Sequence, residues 1–212
     1  MIPLDVLGNA IVMTVVITIS SFLIGAILGV PLVLLRTSRF GVVRVLTRAL
    51  IDVLRGVPPV VWIFILYFGV SSDVIKLDPL TAAIGGLGVI SCAYLAEIYR
   101  GGLLSVHAGQ TEAAQALGFG QVGIFTRIVA PQAFRVCLPS AATYGIGLLK
   151  DSSLASTIGV AEIAFRATAQ ARSGSDGITP FVIAGVLYIA LSMPLAYLSR
   201  TLDTKLRMKV SV

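Results

Sequence analysis

Few groups in this chain can do chemistry by themselves. His107 is the one histidine, and no thiol or serine arrangement near it makes a triad, so it reads as a surface residue. Cys92 and Cys137 lie far apart without metal-ligand spacing and read as buried small apolar residues rather than a metal site or disulfide framework. The stretch GFGQVG at 118–123 lacks the lysine and hydroxyl residue of a phosphate cradle. The expectation is no catalytic site, no metal and no cofactor. What remains is binding chemistry: polar and ionisable groups set among long apolar runs, where they are costly and tend to be functional. Three places qualify: KDSS at Lys150–Ser153, with Asp151 and Ser152; Glu162, about three helical turns beyond; and Ser91 with Tyr94. Each also has a plainer role. Asp151 suits a cap for the next helix or a partner for Lys150. Glu162 suits the outer surface, paired with Arg166 at i,i+4. Ser91 and Tyr94 suit helix packing.

The elements that position these groups are membrane helices. The chain has 212 residues, 57% hydrophobic and 12% charged, against about a quarter charged in an ordinary globular domain. That is too few charges to coat a soluble fold, so most of the surface must face lipid. The uncharged runs Val6–Leu35, Gly56–Ser72, Pro79–Ala96 and Gly177–Ser199 each reach the roughly 17–25 residues of a span. Val136–Leu149 is shorter, but the pattern is apolar again after Lys150 and Asp151. This reads as a discontinuous segment, tolerated in a membrane where its backbone is buried or lines a cavity. The expected fold is all-α and transmembrane, a single domain over 1–212 with five membrane-spanning helices, the fourth discontinuous. The start, MIPLD, lacks a basic segment, and the apolar run behind it is too long for a cleavable signal.

Charge gives the orientation. The 36–55 and 100–135 loops and the tail after Ser199 hold twelve of the sixteen Lys and Arg residues. The opposite loops hold Lys76, Lys150, Arg166 and Arg172. The richer side reads as cytoplasmic, with the N-terminus outside and the C-terminus inside. Topology thus accounts for the net charge of +6 without nucleic acid. In FGVVRVLTRALIDVLRG at 40–56, Arg44, Arg48, Asp52 and Arg55 share one helical face and apolar residues fill the rest. That pattern suits an amphipathic helix lying on the inner membrane surface, as an anchor or partner contact. Glu97 and Arg100, closing the third span, suit pairing across helices or with the loop.

The stretch EAAQALGFGQVGIFTRIVAPQ at 112–132 reads as two helices around a glycine break, followed by a proline. The topology places it on the cytoplasmic side. A DNA-reading helix needs polar side chains for base edges, yet the second helix offers Val122, Gly123, Ile124 and Phe125. Such a hairpin fits a groove on another protein better, and Gly118 and Gly120 allow the sharp break.

Extended to EAAQALGFGQVGIFTRIVAPQAFRVCLP, this stretch resembles the EAA loop of ABC importer permeases, and more narrowly the polar amino acid uptake branch. LRGVPPVVWIFILYFG at 54–69, AYLAEIYRGGLLSVHAGQTEAA at 93–114 and LLKDSSLASTIGVAE at 148–162 fit the same branch. The likeness covers nearly the whole chain.

The resemblance implies a type I importer permease in a bacterial cytoplasmic membrane, paired with a second copy or a sister permease. An extracytoplasmic binding protein delivers the solute. Two ATPase subunits bind ATP and magnesium below, so this chain is not itself an enzyme. The cytoplasmic loop, about 101–137, holds the coupling helix that sits in an ATPase groove. Glu112, Ala113, Ala114 and Gly118 match the coupling motif; Pro131, Arg135 and Pro139 match its continuation. Glu112 suits either the first turn of its helix, where the dipole favours an acid, or a pair with an ATPase arginine. At the broken fourth element Asp151 suits an amino acid's ammonium, and the N–H groups just after it suit the carboxylate. In a heteromeric permease only one of the two subunits need hold solute. An opine or ectoine-like solute remains an alternative, as does an ATPase-independent secondary transporter. The latter needs ion-coupling carboxylates inside the spans, and the uncharged runs contain none.

Overall fold

The computed structural model describes residues 4–70, 77–174 and 177–207, with backbone only at 4–5 and 202–207. Ser72, Lys76, Lys209 and the initial Met1–Pro3 lie outside the described residues. The helix α1, Leu4–Arg36, is 33 residues long, or roughly 50 Å at 1.5 Å per residue. This exceeds a hydrocarbon core of about 30 Å, so α1 must tilt or project from it. It packs along α4, Pro79–Leu104, whose buried face is built largely of small residues such as Ala82, Ala83, Gly86 and Gly88. Small residues let two backbones approach closely where lipid supplies no hydrophobic drive. A Cβ added at Gly25 of α1 would stand 2.3 Å from the Ser91 Cβ and 2.7 Å from its carbonyl carbon. Gly25→Ala therefore overpacks the pair. The expected cost is about 1–3 kcal/mol, measured as a lower Tm of the purified chain in detergent; an unchanged Tm would contradict this contact.

Asp78 caps the start of α4, accepting from the Thr81 hydroxyl at 2.5 Å and the Thr81 N–H at 3.1 Å. Those bonds, the hydroxyl first, hold its carboxyl below the usual range. The cap is present above the ordinary aspartate pKa and is lost as pH falls through the lowered one. At the other end of α4, Glu97 meets Arg36 of α1 at 3.4 Å and Arg100 at 2.7 Å, which supplies the cross-helix pairing expected of Glu97 and Arg100.

The second uncharged run is not one straight span. Helix α2, Gly41–Gly56, meets the segment from Pro59 to Gly69 at 98°. The cause is Pro58 and Pro59: a residue before proline is driven to extended backbone, and Val57 adopts φ −89°, ψ 133°. Helix α3, Pro59–Phe64, and the π-helical turn Ile65–Gly69 that continues it together extend only about 16 Å. The Trp62 indole N–H donates to the Leu54 carbonyl at 3.2 Å, tying α3 to α2 across the bend. On α2, Thr47, Ile51 and Leu54 are buried, while Val42, Val45, Leu46, Leu50 and Val53 are exposed. The amphipathic reading of this helix therefore holds, with one flank against the bundle.

After α4 come α5, Ala108–Ala116, and α6, Gln121–Ile124. A π-helical turn, Phe125–Val129, then joins α6 to α7, Ala130–Asp151. Pro131 cannot donate to the carbonyl four residues earlier and crowds it, and a one-turn π-bulge absorbs that defect. The fourth element is discontinuous, as expected, but its break lies a few residues beyond KDSS. The helix runs through Lys150 and Asp151, tightens into the 3-10 stretch Ser152–Ile158, and turns at Gly159, where φ is 92°. The hydroxyls of Ser152 and Ser153 each donate to the carbonyl three residues back at 2.7 Å, which suits the tighter winding. Helix α8, Ile163–Ser173, precedes α9, Thr179–Arg207. The Ser199 hydroxyl of α9 donates to the Pro139 carbonyl of α7 at 3.3 Å, tying the two helices together. Among the described residues, α1, α4 and α9 are long and apolar enough to cross a membrane, and the bent α2–α3 pair makes four if counted as one span.

Candidate functional site

A cavity of about 200 Å³ lies among α3, α4 and α7. Helix α4 offers it Leu87, Ile90 and Tyr94, which share one face by helical spacing. Helix α7 offers Tyr144, Leu148 and Asp151 on the same principle, and Pro59 opens α3 at its edge. The walls are thus apolar with a few polar groups converging, the composition of a small-molecule site. The rings of Tyr94 and Tyr144 stack at 5.1 Å and 19°. The Ser91 hydroxyl donates to the Leu87 carbonyl at 2.7 Å and lies 2.8 Å from the Tyr144 hydroxyl. A serine has a single O–H, so Tyr144 is the donor in that second contact, and its ring is fixed. The guanidinium of Arg55 lies over the Tyr94 ring, 4.7 Å from its centroid. Asp151 is half-buried. Its side chain caps nothing, and among the described residues it accepts no hydrogen bond and makes no ion pair.

The structure thus brings together two of the five solute candidates, Asp151 and Tyr94, with Ser91 behind them holding Tyr144. The other two stand elsewhere. Ser152 is buried with its hydroxyl spent on the Leu149 carbonyl. Nor do the N–H groups after Asp151 form a free carboxylate cradle: the Ser152 N–H is bonded to the Leu148 and Lys150 carbonyls, because the helix does not restart there. Glu162 is neither on the outer surface nor paired with Arg166. It is fully buried, caps α8 by accepting from the Phe165 N–H at 2.7 Å, and accepts from the Tyr188 hydroxyl at 2.5 Å. It fastens α8 to α9, while the Thr14 hydroxyl accepts from the neighbouring Ile163 N–H at 3.4 Å. Glu162→Ala removes a cap and orphans buried donors, at a cost of roughly 2–4 kcal/mol. The expected result is a Tm lowered by several degrees, largely spared in Glu162→Gln; equal Tm values would contradict this.

Sequence reasoning passed over Tyr144 and Arg55. Tyr144 lies seven residues before Asp151 on α7, a spacing that puts both on one helix face, and that signal was present. Arg55 carried no such mark, since its role depends on the 98° bend.

The loop candidates sit on a hairpin. Helix α5 begins earlier than Glu112: His107 caps it, its Nδ1 accepting from the Gly109 N–H at 3.1 Å. Glu112 is therefore mid-helix and exposed, which removes the first-turn reading and leaves its carboxylate facing outward. Ala114 is buried and Ala113 exposed. Gly118 adopts φ 80°. The Phe119 N–H donates to the Ala114 carbonyl at 3.1 Å and the Gly118 N–H to the Gln115 carbonyl at 2.9 Å, the paired bonds of a Schellman stop that requires a left-handed residue. The stop leaves Leu117 78% and Val122 77% exposed, with Phe119 and Phe125 exposed beside them. Pro131 and Arg135 lie exposed on the first turns of α7.

Long apolar helices around a partly polar cavity, with an apolar-tipped hairpin outside them, make the architecture of a membrane permease. The chain matches the family described as binding-protein-dependent transport system inner membrane component over residues 21–208, and it belongs to that family. It is 39% identical over 192 residues to the octopine transport system permease protein OccM of Rhizobium radiobacter, covering 86% of this chain and 78% of that one. It is 32% identical over 207 residues to the arginine transport system permease protein ArtQ of Bacillus subtilis, covering 97% and 94%. Among solved structures, it superposes on a crystal structure of an amino acid ABC transporter with histidines with a TM-score of 0.88 at 26% identity, covering 95% of this chain and 94% of that one. The methionine ABC transporter MetNI, inward facing, gives a TM-score of 0.81 at 18% identity, covering 96% and 97%, and attests the fold.

Proposed function

We propose that this chain is the permease subunit of an ATP-driven importer of amino acids or closely related polar solutes such as opines. It sits in a bacterial cytoplasmic membrane with five membrane elements, its N-terminus outside and its C-terminus inside. It forms the translocation path with a second copy or a sister permease. The 112–139 loop couples it to two ATPase subunits, which bind ATP and magnesium, while a binding protein delivers solute from outside. Closure of the ATPases rocks the helices, and Asp151 and Tyr94 meet the solute in the cavity, with Ser91 holding the wall. The names of the relatives support the solute class, since they include octopine and arginine permeases.

The observation that carries the reading is the hairpin tip. A rigid glycine-stopped turn holds Leu117 and Val122 outward, and exposed apolar groups so placed fit a groove on a partner. The test is an affinity pull-down from native membranes in mild detergent, with mass spectrometry. Recovery of an ATPase supports the reading, and a second permease beside it identifies a heterodimer. If cysteines placed around Gly118 also fail to cross-link to an ATPase in intact membranes, the coupling role is refuted.

A further inference from the structure

We infer that α2 docks on anionic phospholipid, with Arg39, Arg44 and Arg48 holding headgroup phosphates while its outer apolar stripe enters the acyl region. This role needs only the chain's place in a membrane, whatever its solute. Helical spacing gives α2 three faces. Thr47, Ile51 and Leu54 form one, buried against the bundle. Val42, Leu46, Leu50 and Val53 form a second, all four exposed. Arg44, Arg48 and Asp52 form the third, also exposed and nearly opposite the second. Among the described residues nothing covers the apolar stripe, which runs about three turns. Such a stripe backed by arginines belongs to a helix lying in the membrane interface, apolar side down, its cations level with the phosphates. Phe40, exposed just before the helix, extends the apolar side, and the Arg39 guanidinium lies over its ring, 4.9 Å from the centroid. The charges fit an anionic partner. Among the described residues Arg44 makes no ion pair, and Arg48 meets Asp52 at 3.6 Å with both side chains well exposed, a pair that contributes little in water. Three cations thus share one carboxylate, and guanidinium N–H forks match phosphate oxygens. A zwitterionic headgroup carries its own ammonium beside the phosphate and gains less from them. A groove on an ATPase would meet the charged face alone and leave Val42, Leu46, Leu50 and Val53 uncovered. Lipid meets both faces at once.

The test reads which lipid lies beside α2, by quenching of a single tryptophan with brominated acyl chains in vesicles of the full-length chain. The chain's one tryptophan is removed by Trp62→Phe. A reporter is placed on the stripe by Leu46→Trp, or, as control, in the uncharged run of α9 by Val186→Trp, also an exposed position. The vesicles are phosphatidylcholine with either phosphatidylglycerol or phosphatidylcholine brominated. At position 46 phosphatidylglycerol is expected to be favoured about fivefold or more, the value of one arginine at a charged surface, with the preference shrinking as salt is raised. At position 186 the ratio should be near one. Arg39→Gln, Arg44→Gln and Arg48→Gln together should bring the position-46 ratio near one. A ratio near one with the arginines present, equal preference at both positions, or a preference that survives the three substitutions would overturn the inference. So would absence of quenching at 46 by either lipid, which would mean that a second copy covers the stripe. Arginine variants that keep their lipid preference but lose the ATPase in the pull-down would give the face to that partner instead. Should Trp62→Phe not fold, native mass spectrometry of the otherwise unaltered chain replaces the quenching, and equal retention of phosphatidylglycerol with and without the three arginines would overturn the inference as well.

Discussion

Gly118→Asp is expected to cut solute-stimulated ATP hydrolysis and uptake at least tenfold while the amount of chain in the membrane stays the same. Its φ of 80° lies where a Cβ costs roughly 1–2 kcal/mol, but aspartate is among the residues that best tolerate this region. A Cβ there would meet nothing within 4 Å, so the hairpin should still form. The damage falls on docking. The new carboxylate stands between Leu117 and Phe119 in the chain, on a tip whose apolar groups are exposed. Seating that tip in a partner would bury an unpaired charge, which costs far more than the backbone strain. Gly118→Asn carries the same backbone demand without the charge and should lose much less. Assay of the three forms in proteoliposomes with the ATPase separates the cases. Normal transport by Gly118→Asp would refute the coupling role, and loss of the chain from the membrane would make the glycine a folding residue instead.

Asp151→Asn is expected to weaken apparent solute affinity about tenfold to a hundredfold. Asp151 is half-buried, beside a cavity with largely apolar walls, and an ionised group in such a place costs free energy unless a cation meets it. Lys150, its neighbour in the chain, makes no close ion pair with it. A hydrogen bond to a charged group is worth about 1.5–3 kcal/mol, and each 1.4 kcal/mol is tenfold in affinity, which sets the range. Asparagine keeps the size and loses the charge, so the fold should stand. The readout is the solute concentration giving half-maximal ATPase stimulation, taken with a Tm to show the variant intact. An unchanged midpoint would remove Asp151 from the solute site.

The sequence alone established a good deal, because its strongest signals are local. Long uncharged runs name membrane helices through desolvation, and the asymmetry of Lys and Arg can be read for an expected orientation without any fold. Gly118 between two short helical patterns marked the hairpin break, and EAAQALG with the three other stretches pointed to the family. Local signals failed where a neighbour in space decides the outcome. Glu162 looked like a surface acid with Arg166 at i,i+4; only the packing of α8 against α9 supplies the Tyr188 hydroxyl that makes it a buried fastening. KDSS looked like a helix break; the serine hydroxyls, bonded back to their own carbonyls, carry the winding on to Gly159. Arg55 looked like one more anchor on an amphipathic face. Helical periodicity told which residues share that face, since this is set by 3.6 residues per turn. What lies opposite the face was decided by the proline-driven bend that swings α2 across α3 and lays the guanidinium on Tyr94. Periodicity is a property of one helix and so can be read along the chain; the cavity belongs to three helices at once, and their mutual placement exists only in the tertiary structure.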